Sequence, residues 1–91
     1  MNSHITDKFR KAFAELPADV QKQARQAYRI FIENPHHPSL RFKSIHTSRP
    51  IYSVRIGMDY RAVGIRDSND MIWYWIGSHA EYDKLIQQFR N

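Results

Sequence analysis

The sequence contains no cysteine, which rules out disulfides and thiolate metal sites as braces for the fold and makes an intracellular setting the default expectation. It also has no long apolar run. Nothing approaches the roughly 20 consecutive apolar residues needed to cross a bilayer. The opening Met1-Asn2-Ser3-His4 lacks a basic segment followed by an apolar one, so no secretion signal is expected, and the reading is of a cytoplasmic protein without a membrane partner. No internal repeat, low-complexity tract or linker-like stretch divides the chain. Residues 1–91 are therefore expected to form a single domain, large enough for one small hydrophobic core but too short for a second.

Acidic residues are scarce in one stretch above all. Between Arg41 and Arg66 stand six basic residues, Arg41, Lys43, Arg49, Arg55, Arg61 and Arg66, with Asp59 the only acid. Over the whole chain, fourteen Lys and Arg against nine Asp and Glu give a formal charge of +5, which favours a polyanionic or acidic partner through long-range attraction. Charge excess by itself fits a solubilising face as well as it fits nucleic-acid binding. The helical first third, by contrast, mixes its charges.

What is present reads as two helices, a set of strands and a closing helix. His4-Ile5 fits the stub of an edge strand, Thr6 is a good N-cap, and Asp7 sits at the positive end of the following helix. Phe9, Phe13 and Leu16, at i, i+4 and i+7, form its apolar stripe. Pro17 interrupts that stripe and fits the first turn of a second helix, in which Val20, Ala24, Ala27 and Phe31 share a face. The two helices make a hairpin with Lys22, Arg25 and Arg29 as solvated charges outside. Asn34-Pro35 ends the second helix, because a residue before proline is pushed out of the helical region, and Pro38 keeps the connection extended. His36 and His37 lie between. With no Cys, Asp or Glu at ligand-like spacing they are read as exposed loop residues, and no metal is expected.

Leu40 and Phe42 alternate with Arg41 and Lys43 and, with Ile45 beyond them, give a weak strand signal. Tyr52, Val54 and Ile56 alternate with Ser53 and Arg55, and Gly57-Met58-Asp59 turns into Tyr60 to Ile65, which together make a hairpin. Beyond a second turn at Asp67-Ser68-Asn69-Asp70, Met71 to Ile76 is an apolar run that suits a strand covered on both faces. Its Trp73 and Trp75 are assigned to core in preference to a base-stacking platform with Tyr74. Ser78 and Glu81 form a capping box, and Tyr82, Leu85, Ile86 and Phe89 supply the buried stripe of the last helix. The expected fold is α+β in two layers, an N-terminal helical hairpin packed on a small antiparallel meander and closed by a C-terminal helix.

Taken in order, the helical hairpin ending in Asn34-Pro35, His37-Pro38-Ser39-Leu40-Arg41, Tyr52-Ser53-Val54-Arg55-Ile56, Tyr60-Arg61, and Trp75-Ile76-Gly77-Ser78-His79 leading to Tyr82-Asp83 resemble the RelE/ParE-type toxins of bacterial toxin–antitoxin pairs. The resemblance covers nearly the whole chain. It implies an endoribonuclease without metal or cofactor, cutting messenger RNA in the ribosomal A site and so halting translation. It further implies an acidic antitoxin that wraps the toxin, with operator DNA reached only through that complex. By position, Arg61 matches the arginine of the family's Tyr-Arg pair and Arg55 a basic position one strand earlier. His79 matches a basic or titratable position after the strand-ending glycine, and Tyr82 a C-terminal tyrosine with a supporting role. Two alternatives belong to other classes: a ParE-like toxin that inhibits DNA gyrase by binding it, and a catalytically inactive relative that binds antitoxin or operator.

Cleaving RNA without a metal requires a base for the 2′-OH proton, cations for the charge on the phosphorus oxygens, and an acid for the leaving 5′-oxygen. Histidine suits either proton role. The start of a helix opposes added positive charge, which leans His79 toward the base. Glu81 is the alternative base, although the cap already accounts for it. Arg55 and Arg61 suit a bidentate phosphate clamp; the competing reading makes them structural partners of Asp59, Asp83 or Glu81. Arg41 and Lys43 are candidates for binding flanking RNA backbone, or else are solvated surface. Parity poses a difficulty, because Arg61 falls on the same side of its strand as Val63 and Ile65 whereas Arg55 lies opposite to Val54 and Ile56. Either Arg61 reaches round a strand end, or a bulge near Gly57 resets the register.

Overall fold

The computed structural model describes residues 1–89. Strand β1 (Asn2–Ile5) leads into helices α1 (Asp7–Ala14) and α2 (Ala18–Glu33), then strands β2 (Lys43–Ser44), β3 (Ile51–Ile56), β4 (Tyr60–Asp67) and β5 (Asp70–Ser78), and finally helix α3 (His79–Phe89). Thr6 caps α1, its hydroxyl accepting from the Phe9 amide at 3.1 Å. Pro17 sits at the N-cap of α2, one position before the helical turn expected for it. The hairpin corner is closed by Gln21, whose amide nitrogen reaches the carbonyls of Phe13, Ala14 and Leu16 at 3.1 to 3.2 Å. These are the last carbonyls around α1, which have no partner within the helix. No helix among the described residues is long and apolar enough to cross a membrane.

The five strands form one sheet in the order β1-β5-β4-β3-β2. β2 to β5 make the expected antiparallel meander, and β1 joins its edge parallel to β5, so the sheet is mixed. The His4-Ile5 stub is thus a full edge strand, tied to β5 by the Trp73 indole donating to Ser3 Oγ at 2.8 Å. The strand expected around Leu40 to Ile45 shrinks to Lys43–Ser44. Pro38 begins a 3-10 turn over Pro38–Leu40, His37 Nδ1 accepts the Ser39 amide at 3.2 Å to cap it, and Arg41 closes it in the left-handed region at φ 47°. Leu40 consequently enters the core from a turn.

The two-layer expectation is corrected by the placement of α3. Val54, Ile56, Ala62, Trp73 and Ile76 face Ala24, Phe31 and Leu40 in one buried cluster, where Phe31 meets the Trp73 ring edge-on at 5.3 Å. Ile51 and Val63, of opposite parity, pack with Tyr82, Trp75, Leu85 and Ile86 in a second. The helical hairpin therefore covers one face of the sheet and α3 the other, in three layers with a buried cluster on each side of the sheet where only one core was expected. A register shift in the β4–β5 ladder pairs Val63 with Trp75 and Gly64 with Trp73, leaving Tyr74 as the extra residue. That bulge sends Trp73 to the hairpin face and half-buried Trp75 to the α3 face. It also explains the unbroken apolar run from Met71 to Ile76, which serves both clusters. The Tyr74 hydroxyl is held above the usual tyrosine range by burial.

Candidate functional site

The β3–β4 hairpin closes through Gly57 at φ +59°, a left-handed conformation that glycine adopts at little cost. Its register pairs Ile56 with Tyr60 and Arg55 with Arg61. The two arginines are therefore direct cross-strand neighbours on one face, without a bulge near Gly57 and without Arg61 reaching round a strand end. The parity difficulty dissolves because Val63 belongs to the cluster under α3, so apolar residues occupy both faces of β4.

Each guanidinium is braced by the turn. Arg55 Nε donates to the Gly57 carbonyl at 2.9 Å, and Arg61 Nη1 to the carbonyls of Tyr60 at 2.7 Å and Met58 at 3.3 Å. Arg61 is flanked on its other side by Gly77 of β5, where a Cβ would come within 2.8 Å of the Trp75 ring and 3.2 Å of Glu81 Oε1. Beneath it lies the Tyr82 ring, with the guanidinium carbon 6.0 Å from the ring centroid. Burial holds the Arg61 guanidinium below its ordinary value, and the charges of Arg55 and Arg41 add to the effect against opposing contributions from Tyr82 and Asp83. Like charges placed directly across a ladder are destabilising. Among the described residues Arg10 pairs with Asp7, and the His4 and His79 rings lie 3.5 and 3.4 Å from Asp70 and Asp83, so Arg41, Arg55 and Arg61 have no carboxylate against them. A cluster of cations left uncompensated in this way has the charge and the donors to attract an anion.

His79 opens α3 beside this cluster. Its backbone N–H donates to the Asp59 carbonyl at 2.6 Å, tying the helix start to the hairpin turn, and its ring centroid is 6.3 Å from that of Tyr82. Nε2 lies 3.4 Å from Asp83 Oδ1, one helical turn along. The capping box forms as expected: Glu81 Oε1 accepts from the Ser78 amide at 3.0 Å and from its hydroxyl at 2.9 Å, and Ser78 Oγ accepts from the Glu81 amide at 3.2 Å. These bonds hold the Glu81 carboxyl below the usual glutamate range, which makes it a poorer base.

Arg55, Arg61, His79 and Tyr82 thus converge at one end of the α3 face, with Arg41 close enough for its charge to act on Arg61. Lys43 is exposed on the edge strand opposite Ser53, and so shares that face one step removed. Arg55 and Arg61 turn out to be braced by backbone carbonyls and not by Asp59, Asp83 or Glu81. Tyr82 is buried, with its hydroxyl 2.9 Å from Ser53 Oγ. The sequence reading does not anticipate the role of Ser53, and it offers Asp83 as a partner for the arginines and not for His79. The signal for Asp83 was its i, i+4 spacing from His79; Ser53 looked like an ordinary outward-facing strand position. Among the described residues no three His, Asp or Glu side chains gather as a metal site.

The chain has the fold of a class of solved toxins. It is similar to the RelB–RelE antitoxin–toxin complex from Methanococcus jannaschii, with a TM-score of 0.72 at 14% identity over 90% of this chain and 96% of that one. It is also similar to YafQ from Escherichia coli, with a TM-score of 0.68 at 11% identity over 89% and 96%. The isolated E. coli RelE toxin gives a TM-score of 0.63 at 13% identity over 96% of both chains. No curated protein sequence matches significantly. The family profile of the ParE-like toxin domain matches residues 18–84, and the chain belongs to that family, the RelE/ParE toxins of toxin–antitoxin systems.

Proposed function

We propose that this toxin is a ribosome-dependent endoribonuclease that cuts messenger RNA in the A site by side-chain chemistry alone, without metal or cofactor, and so inhibits translation in the cytoplasm. The observation that carries this reading is the cross-strand pair Arg55 and Arg61, free of carboxylate partners among the described residues and joined by Arg41 and His79. The guanidinium groups take the non-bridging oxygens of the scissile phosphate. With Nε2 turned to Asp83, Nδ1 of His79 is the atom left to accept the 2′-OH proton. The 2′-oxygen then bonds to phosphorus as the bond to the 5′-oxygen breaks, and Arg55 and Arg61 stabilise the charge that develops. The leaving 5′-oxygen takes its proton from water, since Tyr82 is buried and Glu81 is committed to the cap. Arg41 and Lys43 hold the flanking backbone.

The solved neighbours from M. jannaschii and Pyrococcus horikoshii are RelE bound to RelB, and by analogy an acidic antitoxin is the partner here, with operator DNA engaged only through that complex. An apolar cavity of about 460 Å³, lined by Phe9, Phe13 and Tyr28 and rimmed by Arg25 and Arg29, suits an amphipathic acidic segment. The second reading, favoured by the ParE-like profile, is a toxin that binds DNA gyrase without cleaving RNA. Primer extension on messenger RNA after induction separates the two. Cuts within translated codons, absent for Arg61→Ala, are the expected result. Intact messenger RNA with replication arrested first would overturn the nuclease reading.

A further inference from the structure

Beneath the cations lies a polar contact that the proposed chemistry does not use. Ser53 is the one buried polar residue among those described, 2% exposed, and its Oγ is 2.9 Å from the hydroxyl of Tyr82, itself 5% exposed. The surroundings are Ile51, Val63, Trp75, Leu85 and Ile86. Two hydroxyls in such a setting gain little net stability over an apolar pair of the same shape, whereas either one left alone carries the full cost of its desolvation. What the bond supplies is alignment. Ser53 stands two residues before Arg55 on the same face of β3, and Tyr82 stands three residues after His79 on the same side of α3. The Tyr82 ring meets the Arg61 guanidinium on one side and the His79 ring on another.

We propose that Ser53 and Tyr82 form a positioning pair: their buried hydrogen bond locks the rotation of α3 against β3, and the Tyr82 ring then sets how Arg61 and His79 approach the scissile phosphate. This assigns Ser53 a role in the reaction and makes Tyr82 a positioning residue and not a proton donor. The functional half of the claim rests on the nuclease reading.

The test is a double-mutant cycle of wild type, Ser53→Ala, Tyr82→Phe and the double variant. It measures single-turnover cleavage on programmed ribosomes, melting temperature, and the His79 ring resonances by NMR on the protein without RNA. Each single variant is expected to slow cleavage about tenfold with KM little changed. The double variant should be no slower than the slower single, and all three should displace the His79 resonances in the same direction, although Ser53 does not touch His79. A loss of about 100-fold or more for Tyr82→Phe, multiplying with that of Ser53→Ala, would make the tyrosine hydroxyl a participant in the chemistry and overturn the proposal. So would wild-type rates and unmoved His79 resonances accompanied only by lower melting temperatures. A wild type that cleaves no RNA would fail the nuclease reading, and the His79 resonances would still decide the positioning claim.

Discussion

The two faces of the sheet are both covered by helix, but for different ends. Under α1 and α2, Phe31, Leu40, Val54, Ile56 and Trp73 interlock with edge-on aromatic contacts, and no charged group intrudes among them. Under α3 the cluster of Ile51, Val63 and Tyr82 is smaller and gives way at its hairpin end to Arg55, Arg61 and His79. Strand parity separates the two sets, so that one alternation of β3 and β4 packs the larger cluster and the other presents the arginines to which chemistry is assigned in the proposed function. A domain of this size tolerates a repulsive cluster of arginines because the cluster sits on the face with the smaller buried core.

This contrast can be broken or sharpened by substitution. The largest effect is expected on the hairpin face, where Phe31→Ala removes a side chain that touches both Trp73 and Phe42. It should destabilise the protein by about 3–5 kcal/mol in denaturant unfolding. Arg61→Ala is the counterpart on the other face. It should lower the cleavage rate about 10²- to 10³-fold, or ~2.7–4 kcal/mol, while leaving the melting temperature unchanged or raised, because a like-charge contact is relieved. A melting temperature that falls steeply would place Arg61 among the structural residues. Gly77→Ala probes the boundary, since its methyl group must displace the Trp75 ring. A destabilisation of about 1–3 kcal/mol is expected, with a loss of activity beyond what unfolding explains.

The smallest effect concerns the cap. Hydrogen bonds from Ser78 depress the Glu81 carboxyl, so its stabilisation is fully present above the ordinary glutamate value of 4.5 and is lost as pH falls through the lower folded value. The group is largely exposed, so only roughly a few tenths of a kcal/mol is at stake. Thermal melts of wild type and Glu81→Gln should differ above pH 4.5 and converge below it. Parallel curves throughout would show that the cap bond is not titrating.

Much of this was legible because it is local. The Thr6 and Ser78–Glu81 caps, the helical stripes and the β3–β4 hairpin each announce themselves within a few residues, and family resemblance points to Arg55, Arg61 and His79 as candidates. What escaped depends on contacts distant in sequence. Ser53 reads as an outward-facing residue until α3 is known to lie on its face. The conflict between Arg55 and Arg61 arose from assuming that only one alternation of each strand is buried. The bulge at Tyr74 leaves no mark in an apolar run that would fit either face. The alternation of Leu40 with Phe42 reads as a strand, whereas the turn signal of Pro38 prevails in the folded chain.

In the proposed mechanism Arg55, Arg61 and His79 act together on one phosphate through the neighbouring 2′-oxygen. The most direct measurement is the chemistry of the cut ends on programmed ribosomes, with messenger RNA carrying either ribose or a single 2′-deoxyribose at the scissile position. The account predicts a 2′,3′-cyclic phosphate and a 5′-hydroxyl from the ribose substrate, and no cleavage of the deoxy-substituted one. A 3′-hydroxyl with a 5′-phosphate, or equal cutting of both substrates, would contradict it.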